Sequence, residues 1–547
     1  MSVLLSALAN IQNQLSSVLA LKGAWSSIAS AIFVLIGLRA VFRWKNVLED
    51  IDGPEPESWL YGNMLQLHFP RVLGEFEFKW QERFGPVYRF KGCFGRNGLM
   101  VCDPHVIQQI LSNDDIGFGP AIDYASYAMF GPNSVQIRRG DTHKRFRSVL
   151  DRGFTATAVR EYEPILQDLA TDLSEKWEAD ATADSQPGAL EVTHSLRVAT
   201  LGAISRAMLG RTTQDLGETF MYYNFETVAL SSTQDEKAVL VNGIASYLPQ
   251  GAMRSLIYLP LAANRIIRAA YSSMDNLGKE IVKERLQYAK QGIDTSGDFY
   301  GKLIGEKENE AAPNIMTADE IVAQTSLILL AGQDTTANAM AFTLFELAKN
   351  QELQNALRTE IYDLGPKDIN SERSSAVIYD GMPLLNAVIK ESLRMYPAEP
   401  WADRVALRDT VVSLRESITT ISGQQLNQVP LRKGDSIVLG FGAYQRQTPR
   451  WGSDPHVFRP SRWLLDEGNI VRNDGIGPYA NLLTFGGGDY TCLGILEMQV
   501  LLCTILRKFT ITLPSHEQEM RPCLRNVIMP MLPNGERGAR LCVSRLL

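Results

Sequence analysis

The stretch Phe485–Gly494 reads Phe-Gly-Gly-Gly-Asp-Tyr-Thr-Cys-Leu-Gly and places Cys492 in a glycine-rich loop. An apolar run, Ile495–Leu502, follows at once and reads as a helix. Glycines let a backbone approach a flat ligand closely, and the N-terminus of a helix favours the thiolate form of a cysteine. The stretch therefore predicts a site that holds a thiolate sulfur against a metal. The plain alternative is a buried cysteine in a glycine-rich turn.

The composition indicates a globular protein with enough apolar residues for a large core. Of the 547 residues, 45% are hydrophobic and 21% are charged. The net charge is −7 and no run of Lys and Arg stands out, so the chain is not expected to bind nucleic acid. The six cysteines include no Cys-x-x-Cys pair, which is typical of a reducing compartment.

Residues 1–45 predict an N-terminal membrane anchor with a basic flank. Gly23–Leu38 is uncharged and mostly apolar, and Lys22 is the one charged residue before Arg39. A membrane-spanning helix needs about 20 apolar residues, so this core is a little short, and a peripheral amphipathic segment is the alternative. The basic residues that follow favour a single pass with the rest of the chain on the cytoplasmic side.

A proline-rich hinge over residues 46–58 and one catalytic domain over residues 59–547 complete the predicted organisation. In the hinge, Gly53-Pro54-Glu55-Pro56 is stiff because each proline fixes its own φ and restrains the residue before it. Periodicity predicts a helix over Val72–Phe84, and Ser413–Asn427 reads as a surface insertion.

A second motif lies inside a long predicted helix, Thr317–Lys349, and reads Ala331-Gly332-Gln333-Asp334-Thr335-Thr336. A glycine in the middle of a helix costs about 1 kcal/mol, so it needs a reason. A threonine hydroxyl can bond back to a carbonyl and open the helix locally, which leaves a groove for a small molecule such as O2. An ordinary core helix is the alternative.

Charged residues form two further patterns. Glu391 and Arg394 lie three apart on a helix that begins at Pro383, so they share a face, and Arg462 follows in the segment Phe-Arg-Pro-Ser-Arg-Trp. His143 and Arg147 lie four apart on a helix for which Asp141 is a plausible cap. Arginine suits a carboxylate because its guanidinium binds in a bidentate manner, although a solvated basic face is the alternative.

These motifs, in this order from Gly53 onward, resemble those of the cytochrome P-450 family. The loop resembles the family's signature Phe-x-x-Gly-x-(Arg/His)-x-Cys-x-Gly, and the threonine motif resembles its oxygen-binding motif. The resemblance implies a mainly α fold with a smaller β region (α+β) and one haem b. It implies that Cys492 is the axial thiolate ligand of the iron, and that Phe485, Gly488 and Gly494 shape the cofactor site.

The resemblance also implies roles for the other motif residues. Thr335 and Asp334 deliver protons, and Ala331 and Gly332 border the O2 site on the same helix. The residues implied as haem propionate ligands are His143, Arg147 and Arg404. The residues of a buried structural triad are Glu391, Arg394 and Arg462. Position relative to the motifs gives candidates for the substrate wall: Phe118, Leu327, Ala331, Trp401 and Met529.

The chain departs from the family pattern at two places. Tyr490 stands where the signature has Arg or His, so a phenol replaces a cation. Relatives also place about four more residues between Cys-x-Gly and a Leu-Glu-Met-Gln segment, which here follows Gly494 after Ile495 alone. The loss of about four residues is close to one helical turn, so we expect the same side of the following helix to face the core. The shorter connection would draw that helix toward the haem.

The resemblance implies a monooxygenase of the fungal microsomal kind, acting on a small lipophilic substrate and in keeping with secondary metabolism. No dinucleotide-binding fingerprint is present, so we expect electrons from NADPH to arrive through a partner flavoprotein reductase. With the anchor, the expected location is the endoplasmic reticulum membrane. Two alternatives stay open: a haem-binding remnant or scaffold without activity, and a peroxide-rearranging haem-thiolate enzyme that needs no reductase.

Overall fold

The computed structural model describes residues 47–112, 117–121, 124–183, 189–232, 235–305, 316–365, 375–464, 476–486, 493–514, 520–525 and 527–546. The chain divides into two units, Met1–Asp50 and Ile51–Leu547. In the first unit the described residues include a short 3-10 helix, Val47–Glu49. The predicted anchor lies outside the described residues. Among the helices of the part that is described, none has both the length and the apolar character needed to cross a membrane.

The fold is mainly helical with a smaller β region, as the sequence predicts. The helices within the described residues are α1 (Met64–His68), α2 (Glu77–Phe84), α3 (Pro104–Ser112), α4 (Tyr124–Phe130), α5 (Gly140–Leu150), α6 (Ala156–Glu161), α7 (Glu163–Ala183), α8 (Val192–Leu209), α9 (Glu218–Ser232), α10 (Glu236–Ala245), α11 (Gln250–Ser255), α12 (Ala262–Lys290), α13 (Phe299–Gly305), α14 (Ala318–Val322), α15 (Thr325–Lys349), α16 (Gln351–Leu364), α17 (Ser375–Asp380), α18 (Pro383–Met395), α19 (Phe441–Tyr444), α20 (Thr448–Trp451) and α21 (Leu493–Lys508).

The strands of the described residues form four small sheets. They are β1 (Val87–Lys91), β2 (Asn97–Val101), β3 (Phe118–Pro120), β4 (Ala189–Glu191), β5 (Ala402–Ala406), β6 (Thr410–Thr419), β7 (Gln425–Leu431), β8 (Ser436–Leu439), β9 (Phe509–Thr512), β10 (Arg521–Leu524), β11 (Ile528–Met531) and β12 (Arg540–Arg545). The largest sheet has the order β1-β2-β8-β5-β3, in which β2 and β8 are parallel and the other pairs antiparallel.

The helix α15 runs through the main core and packs against α8, α12, α18 and α21. Gly332 explains how closely α15 approaches α8. A Cβ at this position would lie 2.6 Å from Cγ1 of Ile204, so a larger residue would push the two helices apart. The glycine that the helix carries at some cost therefore has a packing reason.

The predicted helix Thr317–Lys349 is wrong as a single element, because the structure divides it into α14 and α15. Thr317 and Glu320 form a capping box that starts α14. At the joint, Gln324 accepts a hydrogen bond from Val135 N at 2.8 Å and donates one to Asn133 O at 3.0 Å. The joint is thus tied to the segment before α5.

Three other sequence predictions need adjustment. The helix expected over Val72–Phe84 is confirmed only from Glu77, because Gly74 adopts a positive φ of 82°. Asp141 lies in the first turn of α5, and the residue at its cap is Arg139. The insertion Ser413–Asn427 belongs to the antiparallel β6–β7 hairpin, with a register shift between Ser413 and Ile418.

The proline-rich segment packs along β1 rather than standing clear of the unit. Arg89 N donates a hydrogen bond to Asp52 O at 3.0 Å, and Arg89 Nε donates one to Ile51 O at 3.1 Å. Gly53 lies so close to Arg89 that a Cβ would fall 1.8 Å from its carbonyl oxygen. The chain therefore enters the catalytic unit at a fixed point.

Candidate active site

An accessible face in the middle of α15 marks the candidate site. Ala331 is exposed although Leu329 and Gln333 on either side are buried, so a solvent-accessible space reaches the centre of the helix here. Thr335, one turn on, lies on the same side, and its Oγ1 donates a hydrogen bond to Ala331 O at 2.9 Å. This is the back-bonded threonine that the sequence predicts.

Asp334 lies between two arginines that come from distant parts of the chain. Arg197 Nε on α8 donates a hydrogen bond to its Oδ1 at 2.9 Å, and Arg537 Nη2 lies 3.1 Å from its Oδ2. The three side chains are 10–12% exposed. Burial lowers the pKa of the Arg197 guanidinium, and the charge of Asp334 raises it. The sequence analysis missed both arginines, for which no local motif gives a signal.

Further buried polar groups surround this ion pair. Thr200 Oγ1 donates a hydrogen bond to Gln333 O at 2.8 Å, and Asn224 Nδ2 donates one to Gln333 Oε1 at 2.7 Å. Arg197 Nη2, Asn224 Oδ1 and Gln333 Nε2 are buried and make no hydrogen bond with the described residues. Buried polar atoms of this kind favour bound water, which suits a site that must receive protons.

The predicted triad is brought together in the core. Glu391 Oε2 accepts a hydrogen bond from Arg394 Nε at 2.8 Å, and Glu391 Oε1 accepts one from Arg462 Nε at 2.9 Å. Burial raises the pKa of Glu391, but the hydrogen bond from Arg394 and the charges of both arginines give a net lowering. Trp463 Nε1 and Arg459 N also donate to the carboxylate. The arrangement is a fully connected, buried charge network.

The cysteine loop is described only on its flanks, because residues 487–492 lie outside the described part of the chain. Gly488 and Cys492 therefore have no structural account. On the near side, Thr484 Oγ1 donates to Leu393 O at 2.7 Å, and Phe485 is half-buried. On the far side, Gly494 is buried at the start of α21. The described residues just before the loop are therefore bonded to α18, the helix that carries Glu391 and Arg394.

The three predicted propionate ligands are in different surroundings. His143 Nδ1 lies 2.9 Å from Val135 O. Arg147 pairs with Asp151 at 3.2 Å, and its side chain is 44% exposed. Arg404 is half-buried on β5 and lines an internal cavity of about 520 Å³. Of the three, Arg404 is the residue that the structure places at the cavity.

The candidates for the substrate wall differ in how accessible their side chains are. Trp401 lines the same cavity, and its ring packs edge-on against His68 with the centroids 5.8 Å apart. Leu327 is half-buried on α15. Phe118 and Met529 are buried, so contact with a substrate would require them to move.

Two titratable side chains near the cavity were not anticipated. Burial lowers the pKa of His68 to about 4, so this cavity-lining ring is neutral at pH 7. Glu399 is exposed, yet burial raises the pKa of its carboxyl, an effect that the charge of Arg404 reduces. The Glu399 carboxyl is therefore within range of the charge of Arg404.

The described residues fit a haem. A flat cofactor needs an open face with small side chains, and Ala331 with Thr335 provides one on α15. Its carboxylates need cations, and Arg404 lines a cavity of about 520 Å³ beside the five-stranded sheet. Thr484, next to Phe485, is hydrogen-bonded to Leu393 O on the core helix α18, so the described flank of the cysteine loop is anchored in the core.

Comparison with known proteins defines the class. A sequence model described as Cytochrome P450 matches residues 53–536. The chain is 25% identical to Cytochrome P450 monooxygenase claW of Ampulloclitocybe clavipes, over 93% of this chain and 95% of that protein. It is 29% identical to Cytochrome P450 monooxygenase 212 of Postia placenta, over 89% and 92% respectively.

A solved structure shows the same fold. The retinoic acid bound cyanobacterial CYP120A1 superposes with a TM-score of 0.67 at 20% identity, covering 91% of this chain and 100% of that one. The chain therefore belongs to the cytochrome P450 family. It is an oxidoreductase of the monooxygenase kind, in a family that uses O2 and haem with a cysteine thiolate ligand.

Proposed function

We propose that this protein inserts one oxygen atom of O2 into a small lipophilic substrate, with electrons from NADPH supplied by a partner flavoprotein reductase. The observation that carries the proposal is the pairing of Thr335 on the accessible face of α15 with Asp334 buried beside it. A bound haem with a thiolate ligand supplies the O2-activating chemistry. The protein must then bring protons to that face and keep bulk water out.

Thr335 and Asp334 have the geometry for proton delivery. The Thr335 hydroxyl donates to Ala331 O, which leaves its oxygen lone pairs free to accept a hydrogen bond at the accessible face. Asp334 is held on the other side by Arg197 and Arg537, where unpartnered polar atoms favour water. A proton would therefore pass from water near Asp334 to water at Thr335.

The residues proposed to bind haem are those that the sequence indicates. Cys492 would hold the iron, with Phe485, Gly488 and Gly494 shaping the loop. Arg404 would hold one propionate, while His143 and Arg147 remain proposals. Gly332 would set the spacing of α15 from α8, so that Ala331 borders the O2 site.

The proposed setting is the endoplasmic reticulum membrane, with residues 1–45 as a single-pass anchor and residues 46–58 as the hinge. The support is the apolar N-terminal sequence with its basic flank. The apolar core residues around the candidate site favour a lipophilic substrate, in keeping with secondary metabolism. The partner reductase follows from the missing dinucleotide-binding motif.

A second candidate function is a haem-binding remnant without turnover. Tyr490 in place of a cation and the short connection after Gly494 favour it. A peroxide-rearranging enzyme is disfavoured, because that chemistry has no use for the proton-delivering pair Asp334 and Thr335.

The reduced, CO-bound difference spectrum of the membrane fraction tests the proposal. We expect a Soret band at about 450 nm, which reports a thiolate ligand, and we expect this band to be lost in Cys492→Ala. A band near about 420 nm would indicate a distorted sulfur site, and no haem signal at all would favour the remnant. Product formation with a reductase and NADPH then separates an active enzyme from an inert haem protein.

A further inference from the structure

Arg537 meets Asp334 in a different way from Arg197. Arg197 Nε donates a hydrogen bond to Asp334 Oδ1 at 2.9 Å. Arg537 Nη2 lies 3.1 Å from Asp334 Oδ2, but the hydrogen bond that this nitrogen donates goes to Asn338 Oδ1, at 3.0 Å. Within the described residues, Asp334 Oδ2 therefore has a cation beside it and accepts no hydrogen bond. Of the two carboxylate oxygens, Oδ2 is the one left to bond a water.

Asn338 joins Arg537 to the β10–β11 hairpin. Its side chain is 2% exposed and lies one helical turn after Asp334 on α15. Asn338 Oδ1 accepts from Arg537, while its Nδ2 donates to Ile528 O at 3.1 Å, at the start of β11. Ile528 N donates in turn to Ala398 O at 2.8 Å, between α18 and β5. One buried amide thus contacts both the strand β11 and the Arg537 guanidinium.

The backbone also holds Arg537 against this hairpin. Met531 on β11 pairs with Arg537 in an antiparallel β-bridge. The turn between them is closed by a hydrogen bond from Leu532 N to Glu536 O at 2.8 Å. Met529, a candidate for the substrate wall, lies on the same strand. The guanidinium beside the α15 carboxylate is therefore carried by the strand of the candidate substrate wall.

We propose that Arg537 is a positioning residue for proton delivery, and that Asn338 makes this positioning depend on the β10–β11 hairpin. This role rests on the proposed function, in which Asp334 passes protons to water at Thr335. The carboxylate takes a proton from one water and gives one to another, so its own charge is restored after each transfer. The exchange occurs at Oδ2, because Arg197 occupies Oδ1. Arg537 positions Oδ2, and Asn338 positions Arg537.

The hairpin thereby has a part in coupling electron use to product formation. A ligand against β11 would press on a strand whose two ends both lead to Arg537. One end is connected through Ile528 and Asn338, and the other through the β-bridge of Met531. Proton delivery would then respond to whether the candidate substrate wall is occupied. The alternative is that Arg537 contributes to stability alone.

The first arm of the test compares two ways of driving turnover in the full-length holoprotein, with 7-ethoxycoumarin as the probe. Turnover with NADPH, a reductase and O2 needs delivered protons. Turnover with cumene hydroperoxide does not, because the peroxide gives one oxygen atom to the probe and leaves as cumyl alcohol. We expect Arg537→Met to lower the product formed per NADPH about tenfold and to release hydrogen peroxide instead. Its rate with cumene hydroperoxide should stay within about twofold of wild type.

Three further variants make this arm specific. Arg537→Lys keeps a cation and should recover part of the coupling. Arg537→Gln can still donate to Asn338 but carries no charge, so it should resemble Arg537→Met, and it replaces that variant should Arg537→Met not fold. Arg521→Met is the matched control, because Arg521 is an exposed arginine on β10 of the same hairpin. Its coupling should equal that of wild type.

The second arm tests the link through Asn338 without turnover. Hydrogen exchange is followed by mass spectrometry in peptides that cover β11, for wild type, Asn338→Leu and Arg521→Met. Because the bond to Ile528 O is lost, β11 should exchange about tenfold faster in Asn338→Leu alone, with the β6–β7 hairpin unchanged as an internal reference. Asn338→Leu should also lower the product formed per NADPH, because Arg537 loses its partner.

Arg537 is not a positioning residue if Arg537→Met lowers turnover with NADPH and with cumene hydroperoxide by the same factor, or lowers neither. The link to the hairpin is overturned if β11 exchanges at the wild-type rate in Asn338→Leu. Failure of the proposed function looks different, because wild type itself would lack the thiolate band or form no product by either route. The proton-delivery role would then fall with it, and hydrogen exchange would still decide whether Asn338 holds β11.

Discussion

Asp334 and Arg197 form a nearly buried ion pair in which Arg197 Nε donates to Asp334 Oδ1 at 2.9 Å. The pair joins α15 to α8, and Arg537 joins the same carboxylate to the segment after β11. The carboxylate next to Thr335 is thus fixed by three separate parts of the chain. Its geometry depends on tertiary structure rather than on the local motif.

Replacing Arg197 should reduce stability more than replacing Arg206, a half-buried arginine on the same helix whose acidic partner is exposed. Arg197→Met leaves Asp334 with one cationic partner in a nearly buried site, and we expect a loss of about 3 kcal/mol in the free energy of unfolding. Arg206→Met is the control, because its partner Asp168 is 64% exposed and the expected loss is at most about 1 kcal/mol. Urea unfolding measures both. Equal losses would mean that the Arg197–Asp334 pair contributes no more to the free energy of unfolding than an ordinary surface ion pair does.

Removing the hydroxyl of Thr335 should uncouple electron use from product formation. Thr335→Ala is expected to consume NADPH at a similar rate but to release peroxide in place of most of the product, and Thr335→Ser should restore coupling. Thr343→Ala is the control on the same helix, because its hydroxyl bonds Ala339 O and Ser392 inside the core. Peroxide and product are measured together. Unchanged coupling in Thr335→Ala would remove this residue from proton delivery.

Neutralising Glu391 should destabilise the core around the cysteine loop. Glu391→Gln leaves Arg394 buried without a carboxylate and leaves Arg462 with the more distant Asp454, at 3.5 Å. We expect a loss of about 3–5 kcal/mol in the free energy of unfolding, together with a weaker thiolate band. The control is Arg160→Met, which removes an exposed cation from an ion pair whose carboxylate is also exposed, and which should cost no more than about 1 kcal/mol. If Glu391→Gln unfolds at the urea concentration of wild type, the triad does not hold the core.

The stability of the protein should fall as pH rises above 4.5, because of Glu497 on α21. Burial raises the pKa of its carboxyl to about 8, so the folded state keeps a proton that the unfolded chain releases from about pH 4.5. Unfolding therefore becomes easier between pH 4.5 and 8, by roughly 5 kcal/mol in total.

Glu497→Gln tests this pH dependence, because the amide cannot ionise. The variant should match wild type near pH 4.5 and become progressively more stable than wild type up to pH 8, with a constant difference above that. Urea unfolding at a series of pH values measures the difference. A difference that does not change with pH would show that Glu497 does not titrate on unfolding.

Local sequence patterns predicted the parts of the site that are local in the fold. Glu391 and Arg394 share a helix face at three residues' separation, and the structure brings them together with Arg462. Thr335 bonds back to Ala331 as a threonine in a helix can. The contacts of Glu391 with Arg394 and of Thr335 with Ala331 follow from helix geometry, whereas Arg462 was predicted from the resemblance to the family.

Contacts between distant segments were beyond the same reasoning. Arg197 lies 137 positions before Asp334, and no spacing rule relates them. The spacing of His143 and Arg147 gives a shared face but not the direction of that face, and Asp151 supplies a nearer partner for Arg147. Arg139 bonds Pro120 O, 19 positions away, and its guanidinium packs closely over Gly119, neither of which a local pattern predicts.

The joint between α14 and α15 has a practical consequence for chimaeras. Gln324 binds both Val135 N and Asn133 O, so the segment that leads into α5 is docked on the start of the helix that carries Thr335. A block exchanged with a relative to alter substrate range should therefore contain residues 133–135 and Gln324 together, or neither. A crossover between them would separate Gln324 from the backbone that it contacts, and would shift the helix that carries Thr335.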